Sequence, residues 1–240
     1  ILVFHNVLKL LNTWLFTQTA ANNPAVRTLH ISDEILGDAL RYVVRHEVGH
    51  SLGLRHNMIA SSAFPVDSLR SAAFTQKYGT SPSVMDYARF NYVAQLQDKG
   101  VRLTPPILGV YDKYAIAWGY KPIFTANSPQ EEKPVLDKWI EAHAGDPKYA
   151  FGEGDINSSN PDVIRERLGD DAVKASRYGV NNIKVLMKNL SAWLGKKGEN
   201  YDDLEMYYTA ILRQYERYFN HVGSLIGGIY SNRPVQGESA

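Results

Sequence analysis

His46-Glu47-Val48-Gly49-His50-Ser51-Leu52-Gly53-Leu54-Arg55-His56 is the stretch on which the reading of this chain turns. Ser32 or Asp33 caps a helix predicted from about Glu34 to Leu52, and Gly53 ends it. His46 and His50 are four residues apart on that helix. At 100° per residue they differ by only about 40°, so both imidazoles leave one face. Two imidazoles there can share one Zn2+. Glu47 lies too far round the helix for a natural third ligand, but it can reach a water at the metal, which is the geometry of a general base. A third ligand six residues after His50 requires the backbone to reverse. Gly53 permits that turn because it lacks a Cβ and takes positive φ at little cost. His56 is then brought back to the same ion. Three neutral nitrogens leave a fourth position open, as a catalytic rather than a structural zinc site requires. The rival arrangement takes a Glu from a later helix, but no Glu occurs between His50 and Glu131.

Upstream, Phe4, Val7, Leu8, Leu11, Trp14 and Leu15 recur at helical spacing. Asn22-Asn23-Pro24 breaks that helix, and Val26 to Ile31 reads as a short β-prone run. Ile1 to Val3 reads as a strand end. Downstream, residues 54–106 form a long irregular stretch. Ile107 to Trp118 reads as a helix, Lys121 to Pro134 as a linker, and Val135 to Ala142 as a short helix. The last third carries two apolar stripes. One runs from Ile183 to Leu194. The other comprises Leu204, Tyr207, Tyr208, Ile211, Tyr215, Tyr218 and Val222, and its tyrosines read as core. Asp155, Asn157, Ser159 and Asp162 offer oxygen ligands of the kind Ca2+ takes, although Asn160 stands where an EF-hand loop needs Gly. His5, His30, His143 and His221 fit no ligand spacing and read as surface or satisfied core residues.

Of the 240 residues, 44% are hydrophobic and 21% charged, which excludes wholesale disorder. Lys and Arg total 26 against 25 Asp and Glu, so nothing electrostatic points to nucleic acid or an anionic membrane. The absence of cysteine excludes disulfides, a thiolate nucleophile and Cys-type zinc sites. No apolar run is long enough to span a membrane. The chain begins at Ile1 and reads as a piece of a longer precursor.

The segment His46 to His56 resembles the zinc signature of the metzincin metallopeptidases. Ser83-Val84-Met85-Asp86-Tyr87 resembles that clan's methionine-containing turn. Its surroundings, Pro82 to Gln95, are similar to the bacterial extracytoplasmic metalloproteases called Met-zincins, as are the residues Arg41 to His50 and Tyr111 to Tyr120. The resemblance implies a zinc endopeptidase acting on peptides or proteins outside the cytoplasm. It implies His46, His50 and His56 as ligands, Glu47 as base and Met85 as an apolar floor. It implies that Tyr87 coordinates zinc or stabilises the oxyanion. Asp86 reads as an acceptor for a ligand histidine or as an exposed or capping residue.

The expected architecture is a mainly α-helical, α+β fragment. Residues 1–57 form a partial N-terminal subdomain with the active-site helix. Residues 58–240 form a C-terminal subdomain with the methionine turn and helices. Metzincins usually place a mixed sheet before the metal helix, and only 45 residues precede His46 here, so that sheet is expected to be largely missing. Two other readings follow. One is a metal-binding module that cleaves nothing; the other is a zinc hydrolase acting on a non-peptide bond.

Overall fold

A computed structural model describes residues 5–104, 106–154, 159–198 and 200–230, with the side chains of residues 5 and 6 left out. The helices are α1 (His5–Thr19), α2 (Asp33–Ser51), α3 (Ala72–Tyr78), α4 (Val110–Tyr120), α5 (Pro129–Glu141), α6 (Ala172–Leu194) and α7 (Asp202–Gly223). Short 3-10 turns and loops join them, and no strand occurs among the described residues. The mainly helical expectation holds. The strand end expected at Ile1 to Val3 lies outside the described residues.

The apolar faces of α1, α6 and α7 meet in one core. Leu11, Leu15 and Phe16 pack with Ile183 and Leu186 and with Tyr207, Ile211 and Tyr218. Phe90, Tyr92 and Val93 enter the same core from the loop after the methionine turn. Ala39 brings α2 into it, with Ile35, Leu36 and Val43 packed alongside. A buried ionic knot ties these parts together. Arg89 reaches Glu166 at 2.6 Å and Arg217 of α7 pairs with the other carboxylate oxygen. The Arg89 guanidinium lies over the Trp14 ring of α1 at 3.3 Å. A carboxylate held between two arginines offsets the desolvation of all three charges, and losing one partner would leave the others exposed to that cost.

Three expectations need correction. Val26 to Ile31 is not a strand. Pro24–Val26 form a 3-10 turn, and Val26 and Ile31 bury their side chains in the core one by one. Arg27 caps the end of α1 by donating to the carbonyls of Ala20 and Ala21 at 2.7 and 3.0 Å. The linker expected over 121–134 already contains the start of α5, because Ser128 caps it and Pro129 suits the first turn. The tyrosine stripe is split. Tyr207 and Tyr218 are buried while Tyr208 and Tyr215 are 44% and 45% exposed, since a helix of this kind has only one face to give to the core.

Candidate metal centre

The metal helix, α2, carries Tyr42, His46 and Gly49 on its buried side. His46 Nε2 and His56 Nε2 each lie 3.1 Å from His50 Nε2, so three ring nitrogens converge on one point. Among the described residues, these histidines are the group able to hold a metal ion. The opposite ring nitrogens explain why. His46 Nδ1 faces the Val84 carbonyl at 2.7 Å and His50 Nδ1 faces the Leu54 carbonyl at 2.9 Å. A carbonyl can only accept, so both Nδ1 atoms carry the proton and both Nε2 atoms present lone pairs. Lone pairs pointed at one another need a cation between them. Burial lowers the pKa of His46 and of His56 below the ordinary imidazole value, which keeps the donor set neutral.

Gly53 has φ +82°, the left-handed turn its position required. Through that turn Leu54 N returns to the Gly49 carbonyl at 3.0 Å, the Leu54 carbonyl arrives at His50, and His56 comes under the helix. The next residue locks the return. Asn57, fully buried, donates from Nδ2 to the Ala150 carbonyl and accepts from Gly152 N, both at 2.9 Å. Its backbone N–H donates to the Met85 carbonyl at 3.0 Å.

Residues 82–87 pass beneath the histidines. Met85 is wholly buried, in a cluster with Tyr42 and Val84 against which Val43 and Leu54 pack. A Cβ on Gly49 would stand 2.3 Å from the Met85 sulfur, so only glycine lets the helix settle on this methionine. Tyr42 donates to the Asp86 carbonyl at 2.5 Å. Asp112, at the start of α4, accepts from Val84 N at 3.0 Å, Ser83 Oγ at 2.7 Å and Gly109 N at 2.8 Å. The Val84 peptide therefore joins the Asp112 carboxylate to the His46 ring.

Among the residues singled out in sequence, Glu47 lies on α2 beside His46 and is half-buried. Tyr87 places its hydroxyl 3.1 Å from His56 Nε2 and its ring against those of His46 and His56. Asp86 is neither exposed nor an acceptor for a ligand histidine. Its carboxyl is fully buried, accepts from Ser61 N at 2.6 Å, and burial pushes its pKa up to about 8. The acceptors for His46 and His50 are backbone carbonyls instead. Asp162 of the oxygen-rich loop pairs with Arg167 at 2.8 Å, while Asp155 and Asn157 lie outside the described residues. His30 is exposed and His221 is buried. His143 stacks on Tyr149, and the His5 side chain is outside the described set.

Asp112, Asn57, Tyr42 and Gly49 were not singled out from the sequence. Gly49 and Tyr42 sit at helical spacing from the histidines, at i+3 and i−4 of His46, and that spacing was an available signal.

No helix of the described residues is long and apolar enough to cross a membrane. No curated protein and no solved structure matches the chain. Against models of known families, residues 28–240 match the Met-zincin model. That span takes in the converging histidines, the turn beneath them and both long C-terminal helices, and the chain belongs to the Met-zincin family, which is zinc metallopeptidase-like.

Proposed function

We propose that this chain is a zinc-dependent endopeptidase with Glu47 as its general base. The observation that carries the reading is the convergence of three Nε2 atoms, with the rings of His46 and His50 oriented from behind by backbone carbonyls. Zn2+ fits this donor set: neutral imidazoles, tetrahedral preference and a position left open. Lewis acidity is what a bound Zn2+ supplies, polarising a carbonyl and acidifying a water near neutral pH.

The rest falls to the protein. Glu47, beside His46, takes a proton from the attacking water and gives it to the departing amine. Tyr87 aims its hydroxyl at the ligand shell, where it can donate to the oxyanion as the tetrahedral carbon forms. Met85 and Val84 are the methionine turn in this reading. They give the histidines an apolar floor that excludes water and keeps the rings neutral. Residues 1–57 then supply the helix above the ion and residues 58–240 the turn below it. An extracytoplasmic site of action accompanies the family resemblance.

The experiment is a metal assay paired with cleavage of casein by the zinc-loaded chain. One zinc per chain with proteolysis supports the reading. Glu47→Gln should retain zinc and lose turnover by about 10²-fold or more; full proteolysis by that variant removes Glu47 from the base role. One observation favours a second reading. The described residues contain no strand, and hence no sheet edge to pair with an extended substrate. A zinc-loaded chain that leaves casein and short peptides intact would be a metal-binding module rather than a complete protease. Ester cleavage without peptide cleavage would make it a hydrolase of another bond.

A further inference from the structure

Four arginines gather behind the metal centre, and three of them meet a carboxylate. Arg89 and Arg217 share Glu166. Arg167 donates to Asp162 and to the carbonyls of Pro161 and Asp170. Arg165 differs. Its guanidinium meets no carboxylate among the described residues, and its Nε is buried without a hydrogen-bond partner. Its guanidinium carbon lies 5.4 Å from the centre of the Tyr87 ring, the same tyrosine whose hydroxyl is 3.1 Å from His56 Nε2. A guanidinium with no carboxylate partner among the described residues therefore stands against the tyrosine that faces the ligand histidines.

The backbone holds this side chain in place. The Arg165 carbonyl accepts from His221 Nε2 of α7 at 3.1 Å. Glu166, the next residue, has φ +65°. A non-glycine residue rarely takes that conformation, and it persists here because Arg89 and Arg217 draw the Glu166 carboxylate into the core. The chain thus spends a strained residue at the position where Glu166 turns inward beside Arg165. A guanidinium offers planar paired donors that match a carboxylate.

We propose, on the endopeptidase reading above, that Arg165 anchors a substrate carboxylate lying one or two residues from the bond that is cut. The spacing follows from the geometry. The guanidinium carbon lies 5.4 Å from the centre of the Tyr87 ring that faces the ligand shell, and an extended peptide advances roughly 3.3–3.6 Å per residue. That carboxylate comes either from a peptide C-terminus or from an acidic side chain.

The test is calorimetric binding to zinc-loaded Glu47→Gln of three probes: acetyl-Ala-Leu-Ala with a free C-terminus, its carboxamide, and acetyl-Ala-Leu-Glu carboxamide. At least one acid should bind tenfold or more tightly than the neutral carboxamide, and which one does so identifies the source of the carboxylate. Adding Arg165→Met should bring the acids to the level of the carboxamide with zinc content unchanged, and Arg165→Lys should restore part of the difference. Equal binding of all three probes by Glu47→Gln alone overturns the proposal without need of any Arg165 variant. So does an acid preference that survives Arg165→Met. Turnover of casein by the zinc-loaded, unsubstituted chain separates the two readings. Acid preference in binding with no cleavage overturns the endopeptidase and keeps the anchor, whereas cleavage with no acid preference does the reverse.

Discussion

The Asp112 carboxylate receives the Val84 amide at 3.0 Å, and the carbonyl of that same residue receives the His46 Nδ1 proton at 2.7 Å. Asp112 never touches the metal site, yet it fixes the peptide that fixes the first ligand. Asp112→Ala would leave Val84 N, Ser83 Oγ and Gly109 N without this acceptor. We expect a loss of about 2–4 kcal/mol of stability and a roughly 10–100-fold weaker zinc affinity. Asp112→Asn keeps one accepting oxygen and should lose less of both. Unfolding curves and zinc titrations check this; a folded Asp112→Ala with full zinc affinity would show that Val84 holds its place alone.

Gly49 and Gly53 serve different ends, and alanine should tell them apart. At Gly49 the added methyl collides with the Met85 sulfur, for an expected cost of about 1–3 kcal/mol and a displaced floor. Gly53 has open space around it but a positive φ, so alanine there costs roughly 1 kcal/mol of backbone strain. In Gly49→Ala with Met85→Ala the two losses should fall short of their sum, as contacting residues do. Thermal unfolding of the single and double variants measures the coupling.

Tyr87→Phe removes only the hydroxyl facing His56 Nε2. On the proposed mechanism kcat falls about 10²-fold while zinc content is unchanged. A change confined to KM would assign the hydroxyl to ground-state binding instead.

Burial pushes the His221 imidazole down to about 4, with the backbone bond to Arg165 opposing and the charges of Arg217 and Arg167 assisting. In the unfolded chain this ring takes up a proton near pH 6.5, roughly the free imidazole value. Between those values the unfolded state binds more protons, so stability rises with pH there. It is lost as pH falls from 6.5 through about 4, by an amount on the order of 2–3 kcal/mol. The Asp86 carboxyl, raised to about 8, runs in the opposite direction. Its stabilising share is full below the free carboxyl range and disappears as pH rises through 8. Comparing the chain with His221→Gln cancels the Asp86 contribution. The variant's unfolding free energy should vary less over pH 4 to 6.5, and an unchanged slope would remove His221 from the account.

Short-range spacing made the heart of this site readable. The four-residue interval of His46 and His50 and the glycine before His56 are local facts, and local geometry turned them into a converging set. The same logic located α1, α2 and the two long C-terminal helices. What stayed hidden depends on partners distant along the chain. The acceptors for His46 and His50 are backbone carbonyls, which every residue has, so no residue type marks Val84 or Leu54. For Asp86 the residue type left two roles open, at a ligand histidine or as a cap, and its carboxyl takes the second by accepting from the Ser61 amide of a 3-10 turn. Val26 to Ile31 had strand-like composition but no neighbouring strand among the described residues to pair with, and β-branched residues bury equally well in a turn. The tyrosine stripe of α7 was too wide for one face, and periodicity alone did not say which edge would stay wet.

The shared core of α1, α6 and α7 has a consequence for biosynthesis. A ribosome releases α1 and the metal helix long before Tyr207, Ile211 and Tyr218, against which α1 must pack. Until those residues emerge, the early helices lack their apolar partners and present a surface that invites aggregation. Closure of contacts so far apart along the chain is slow. Co-translational zinc loading would therefore meet an incompletely packed scaffold, and a firmly built centre has to await the emergence of α7.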